Sequence, residues 1–367
     1  LVKINFIIFI TLILFFYFKN FSNNIFLKIV FLIIVLTSMG VPIIEWDPRS
    51  IYLFHAKRIF YEHSIFAVGD GYAEFSHNEY PMLASAFASS LAILVGHWNE
   101  VFPKLSFTLM FFPPLILALT FMNNTKYLIF LSIILFIISK YLFNGWTDGL
   151  LAIYFSLSSI LMYFVLIREG EHNNKLLFYI LTFVFFVILT LIKNEGSVLL
   201  LVLFATTFLI KLFQNQLKKK FFKIFIFLSL SFIPILLWKF FCYTKGLGHE
   251  FIHPNFLVNL LLRANDFSNY IDIFYFLIFN EKFVVALILF LLSFWINKNW
   301  EIFNFVVITS LTYIFILFFI YLSTPHDFYF QLNSTASRVI KSLSLFISCF
   351  ALLNLNFKDK ENFRNLF

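Results

Sequence analysis

Residues 42–62 read PIIEWDPRSIYLFHAKRIFYE and interrupt a long apolar run with two carboxylates, Glu45 and Asp47, one residue apart. A basic-aromatic segment carrying His55, Lys57 and Arg58 follows at once. A carboxylate pair at the end of a membrane span is not needed to hold that span, and it is costly unless it meets water, a metal or a substrate. The stretch therefore reads as the start of a working loop, with the remaining segments forming membrane-embedded walls around it.

Composition points the same way. Of 367 residues, 61% are hydrophobic and 13% charged, with a mean hydropathy of +0.90. That leaves too little polar surface for the two soluble domains this length would allow. The expected fold class is an all-α polytopic membrane protein. The 58 Phe, together with abundant Ile, Lys and Asn, read as the bias of an AT-rich genome. The net charge of +8 is spread over short connectors, the pattern of the positive-inside rule, so no nucleic-acid partner is expected. Cys242 and Cys349 fall on separate spans, which predicts no disulfide framework.

Apolar runs of spanning length, about 17–25 residues, place eleven helices near 4–18, 26–44, 104–122, 127–143, 149–167, 176–192, 196–213, 221–241, 283–297, 301–322 and 340–356. The densest basic cluster, Lys211, Lys218, Lys219, Lys220 and Lys223, sets the cytoplasmic side. Alternation then places the N-terminus outside and a tail at 357–367 in the cytoplasm, after a single membrane domain over 1–356. The outer face holds a long first loop, 45–103, with interfacial helices in it. It also holds the connectors ending in Asp148 and carrying Lys193, and two late loops at 242–282 and 323–339. Residues 82–98, short and rich in Ala and Ser, read as a helix lying along the membrane rather than a further span.

Five places could carry chemistry. In an extended segment residues i and i+2 point the same way, so Glu45 and Asp47 would share one space, able to accept a proton or hold a divalent cation such as Mg or Mn. The alternative reading is a solvated loop whose acidic residues mark the outer face. Residues 50–62 read as an amphipathic helix, with Ile51, Phe54 and Ile59 (and Phe66 just beyond) toward lipid and Lys57 and Arg58 placed to meet lipid phosphate, or simply floating at the interface. Asp148 opens a span, where helix capping is a sufficient reason for it. Lys193, in LIKNEGS, breaks the positive-inside pattern and suits an anion, unless Glu195 neutralises it. The last loop, TPHDFYFQLNSTASRV, carries His326 and Arg338, the latter suited to bidentate phosphate recognition. One further match, HEFIH at 249–253, has zincin spacing. Gly246 and Gly248 before it and Pro254 after it disfavour the long helix such a site needs, so a metalloprotease is set aside.

In order and sidedness these segments resemble the GT-C glycosyltransferases, polytopic enzymes that use polyprenyl-phosphate-linked sugars, and in particular bacterial relatives of the protein mannosyltransferase and aminoarabinose transferase group. The resemblance spans about residues 30–345. EWDPRS stands where the family has its acidic residue at the start of the first outer loop, and IYLFHAKRIFYE with Tyr80-Pro81 resembles that loop's juxtamembrane helices. NEVFPKLS resembles the lead into the next span, with Lys104 where the family often has Arg. WTDGLLAIYF resembles the second acidic motif, LIKNEGSVLLLV a later Lys-Gly motif, and TPHDFYFQLNSTASRV a C-terminal stretch of some members. The resemblance implies an inverting transfer with Asp47 as general base, assisted by Glu45, and with Lys193, Arg338 and His326 neutralising the departing lipid phosphate. It also implies a bacterial inner-membrane location, an outward-facing site, a polyprenyl-phosphate-sugar donor, and a lipid, glycan or protein acceptor of the cell envelope. A polysaccharide polymerase or ligase, or a lipid-linked glycan flippase, are the alternative readings.

Overall fold

A computed structural model describes residues 25–121, 124–168, 175–248 and 255–356. Among these residues every regular element is a helix. In chain order they are α1 (Ile25–Gly40), a π-turn at Pro48–Tyr52 leading into α2 (Leu53–Glu62), α3 (Leu83–Val95), α4 (Val101–Leu109), α5 (Phe112–Phe121), α6 (Asn124–Phe143) and α7 (Asp148–Met162). Then follow α8 (Lys175–Ile192), α9 (Asn194–Phe213), α10 (Lys219–Ser229), α11 (Ile233–Thr244), α12 (Phe256–Ala264), α13 (Phe267–Ile278), α14 (Glu281–Ile296), α15 (Trp300–Ser323) and α16 (Phe328–Asn356).

Among the described residues, seven segments are long and apolar enough to cross a membrane: Val101–Ala118, Asp148–Ile167, Lys175–Ile192, Asn194–Phe213, Lys219–Thr244, Trp300–Ser323 and Phe328–Leu355. The pair α13 and α14 makes an eighth if counted together, bent by 67°. By length and composition this is a multi-pass membrane protein, and its exposed apolar side chains agree. Leu236, Phe240, Trp295 and Phe315 stand largely uncovered, a surface that suits lipid and not water. The expected eleven spans are not reached. The run at 4–18 lies outside the described residues, α1 has 16 residues, the described apolar part of α6 is Tyr127–Phe143, and the run at 283–297 reaches spanning length only together with α13.

The centre of the bundle is α7. All its residues are buried, as an element apolar on every side must be. Helices α6, α8 and α16 pack around it, and α16 also lies along α14. At its far end α16 is pinned to α14: Asn354 Nδ2 donates to the carbonyls of Ser293 and Asn297, both at 2.9 Å, and Asn297 Nδ2 donates back to the Asn354 carbonyl at 2.7 Å.

Both late loops hold more helix than the hydropathy pattern shows. Helix α16 begins at Phe328, so Arg338 and Lys341 are helical residues and only Thr324–Asp327 remains as a link. Residues 242–282 hold α12 and α13; from α12, Arg263 Nη1 and Nη2 donate to the carbonyls of Thr324 (2.7 Å) and His326 (2.8 Å), clamping that link. The HEFIH motif lies outside the described residues. In the first loop, α2 does not turn its apolar face to lipid. Ile51 and Ile59 are buried in the protein, and α2 packs on α3, whose buried Ala84, Ser85, Ala88, Ser89 and Ala92 let the two backbones approach closely. Phe54 is half-buried; of the four residues expected at lipid, Phe66 is exposed. With 13 residues, α3 is too short to cross a bilayer alone.

Candidate functional site

Four sequence candidates from four distant segments meet at one end of the bundle. Asp148 is the first residue of α7, Lys193 fills the single-residue link between α8 and α9, Asp47 ends the α1–α2 connection, and Arg338 sits ten residues into α16. Arg338 Nη2 donates to Asp148 Oδ2 at 3.0 Å and also to Asp47 Oδ2. Lys193 Nζ takes the other Asp148 oxygen, Oδ1, at 3.2 Å and Glu195 Oε1 at 2.8 Å. The result is one chain of alternating charge, Asp47–Arg338–Asp148–Lys193–Glu195. Its middle is dry: Asp148 is 8% exposed and Lys193 5%. Burial alone would neutralise Lys193, but Asp148 and Glu195 outweigh it and hold the ammonium pKa well above the ordinary lysine value.

Local chain geometry accounts for this placement. The α8–α9 junction turns within one residue, and Gly196 lies so close to the Leu189 carbonyl that any Cβ there would collide with backbone. That contact sets the direction in which Lys193 and Glu195 leave the helix ends. In the NGWTD connector, Gly145 takes φ +84°, a conformation glycine adopts without strain, and this presents Trp146 to Arg338, whose guanidinium carbon lies 4.2 Å from the indole centroid. Lys341, one turn below, donates to Tyr141 Oη at 2.7 Å, and Tyr141 packs edge-on against Trp146 at 5.4 Å. Tyr52, fully buried, lies close enough to Lys193, Asp148 and Asp47 for all three to bear on its hydroxyl, whose pKa burial pushes up.

The other candidates fall elsewhere. Glu45 and Asp47 do not share a space: Asp47 has helical backbone angles, so the extended geometry that would align them is absent, and Glu45 pairs instead with Lys140 at 2.8 Å. Among the described residues no three His, Cys, Asp or Glu side chains gather as potential metal ligands. Arg58 does not reach for phosphate. It donates to Glu62 (3.0 Å), Asp70 (2.9 Å) and the Ala67 carbonyl (3.0 Å), tying the loop after α2 back onto that helix. Lys57 is exposed. His326 lines a separate polar cavity of about 530 Å³ between residues 69–79 and 245–248.

Beside the charge chain opens a second cavity, a groove of about 660 Å³. Its walls are apolar, with Leu201, Phe232, Leu236 and Leu317 among them, and Asn194, Glu195, Ser197 and Lys239 also line it. Asn194 Nδ2 and Oδ1, Glu195 Oε2 and Ser197 Oγ are buried there without a hydrogen-bond partner. Tyr52 and Tyr141 gave no signal in the sequence, being two tyrosines among 16. Lys140 did give one, as a cation near the end of an apolar run. No protein-family model, curated protein or solved structure matches this chain, so these residues and their geometry are what its function is read from.

Proposed function

We propose that this protein is an integral-membrane glycosyltransferase of GT-C type that moves a sugar from a polyprenyl-phosphate carrier to an acceptor hydroxyl on the extracytoplasmic face. The observation that carries this reading is the convergence of Asp47, Asp148, Lys193 and Arg338 on one buried network beside an open apolar groove. A groove with oily walls and unpartnered polar atoms fits an amphiphile with a long apolar chain and a polar head. The cations beside it fit the phosphate of that head.

An order of events follows from this reading. Arg338 bridges Asp47 and Asp148. A donor phosphate that engages Arg338 competes with Asp47 and releases its carboxylate. Asp47 then accepts the proton of the acceptor hydroxyl, the acceptor oxygen bonds to the anomeric carbon with inversion, and the bond from that carbon to the phosphate oxygen breaks. The leaving phosphate departs against Arg338 and Lys193, whose charge offsets the negative charge that develops on it. Asp148 holds both cations in place. Glu45, turned toward Lys140, has no part in this sequence.

The test is sugar transfer in proteoliposomes from a polyprenyl-phosphate-sugar pool, wild type against Asp47→Asn. Loss of a general base lowers the rate about 10²–10⁴-fold, with circular dichroism checking that the variant is folded. Full activity in the variant removes Asp47 from the mechanism. If the wild type moves lipid-linked glycan across the bilayer without transferring sugar, the protein is a flippase and the proposal fails.

A further inference from the structure

The polar cavity that holds His326 plays no part in the mechanism above, yet it has the marks of a binding site. It lies between the loop joining α2 to α3 and the end of α11, and its lining includes Glu74, Asn78, Glu79 and Lys245. Two acceptors on its wall are buried and unused. Glu79 is 6% exposed and Asn78 4%, and neither Glu79 Oε1 nor Asn78 Oδ1 has a hydrogen-bond partner; His77 Nδ1 stands 3.6 Å from that Glu79 oxygen. Neither residue is loosely held. Asn78 Nδ2 donates to the Tyr72 carbonyl at 3.1 Å, which fixes the amide with its oxygen to spare. The Glu79 carbonyl accepts from Trp238 Nε1 and Lys239 Nζ, both at 3.1 Å. An unpaired buried acceptor costs about 1–3 kcal/mol, which a ligand bearing donors would recover.

The charge of the wall narrows the class. Asp70 is already neutralised by Arg58, and Glu74 and Glu79 stand against Lys245 and two histidines, His77 and His326, a wall with no excess of fixed positive charge, which disfavours phosphate. Four of the lining residues are glycines, so peptide groups face much of the space. The volume, about 530 Å³, suits one or two sugar rings. The cavity also adjoins the groove, because Lys239, bonded to the Glu79 carbonyl, lines that groove.

We infer that this cavity binds a neutral saccharide unit, the sugar of an acceptor glycan, with Glu79 and Asn78 accepting hydrogen bonds from its hydroxyls. The assignment as acceptor rests on the proposed glycosyltransferase function; the binding itself does not. The experiment is saturation-transfer NMR on the full chain in nanodiscs, with glucose, galactose, mannose, N-acetylglucosamine and lactose as probes. At least one is expected to bind, and Glu79→Gln is expected to weaken it about tenfold, the worth of one hydrogen bond to a charged group. Glu74→Trp, at an exposed position on the rim where folding is not at stake, is expected to abolish the signal by filling the space. Asp148→Asn is expected to stop transfer and leave saccharide binding intact. The proposal is overturned if none of the sugars binds, if binding survives Glu74→Trp, or if inorganic phosphate displaces the sugar. Binding by a wild type that transfers nothing would sink the glycosyltransferase reading and leave the cavity standing.

Discussion

The charge chain and the polar cavity are built from the same kinds of side chain and differ in how far the charges at their centres are paired. In the chain, Asp148 meets a cation at each oxygen, and Arg338 and Lys193 each meet two carboxylates. In the cavity, Glu79 and Asn78 are buried with acceptors to spare. Tyr80 joins the two regions: its ring stacks on His77 at 4.8 Å, and its hydroxyl lies close enough to act on Lys193. Self-paired charge at depth keeps its own geometry and must be displaced before it can serve a ligand, whereas unpaired polar atoms at depth wait for one.

The strongest way to break the contrast is to unpair the chain. Arg338→Ala leaves two carboxylates facing each other, and losing one partner of a buried ion pair costs about 3–5 kcal/mol. The fall in unfolding free energy of the detergent-solubilised protein is the measurement, with Arg338→Lys expected to recover a large part of it. A loss under about 1 kcal/mol would mean that water reaches the network and that it behaves as a surface pair.

Next in size is a pH effect in the loop that builds the cavity. His55 Nε2 contacts the Ser76 carbonyl at 2.8 Å and its Nδ1 is buried without a partner. Burial, reinforced by Arg58, lowers its pKa from 6.5 to about 4 despite the Ser76 bond. The folded protein thus keeps His55 neutral where the unfolded chain takes up a proton. Its contribution is whole above pH 6.5 and is lost as pH falls to about 4, about 3 kcal/mol in all. Melting curves at pH 7 and 4.5 are expected to show a drop that His55→Gln flattens; equal slopes in both proteins would mean His55 does not titrate with folding.

The smallest effect is expected at the surface strap. Glu62→Gln removes one exposed partner of Arg58 while Asp70 stays, and about 0.5 kcal/mol or less should be lost. A larger loss would show that the strap carries the loop.

Much of this could be read from the residues. Charges at span ends marked Asp47, Asp148 and Lys193, because a charge there needs a reason, Arg338 stood out in the last polar loop as a phosphate binder, and the structure brings all four together. What misled was local geometry. Glu45 and Asp47 look paired only on an extended backbone, and Pro48 instead opens a helical turn that turns them toward different cations. Arg58 looked ready for phosphate because its partner Asp70 is 12 residues away, beyond any helical spacing. The polar content of 323–339 reads as loop, yet Gln331, Asn333, Ser334 and Thr335 continue the helix that carries Arg338. Hydropathy sees the solvent a segment prefers and cannot see hydrogen bonds made within it.

Helix α16 runs unbroken from Phe328 to Asn356, with Arg338 near one end and the Asn354 clamp near the other. The 16 residue steps from one to the other span about 24 Å of rigid rod. Because each residue advances the helix by about 100°, the clamp works as an index mark: with Asn354 seated on α14, the bearing of Arg338 is fixed by counting. One residue added between the two would swing the guanidinium away from Asp47 and Asp148 by more than a quarter turn, without touching a single group in the site.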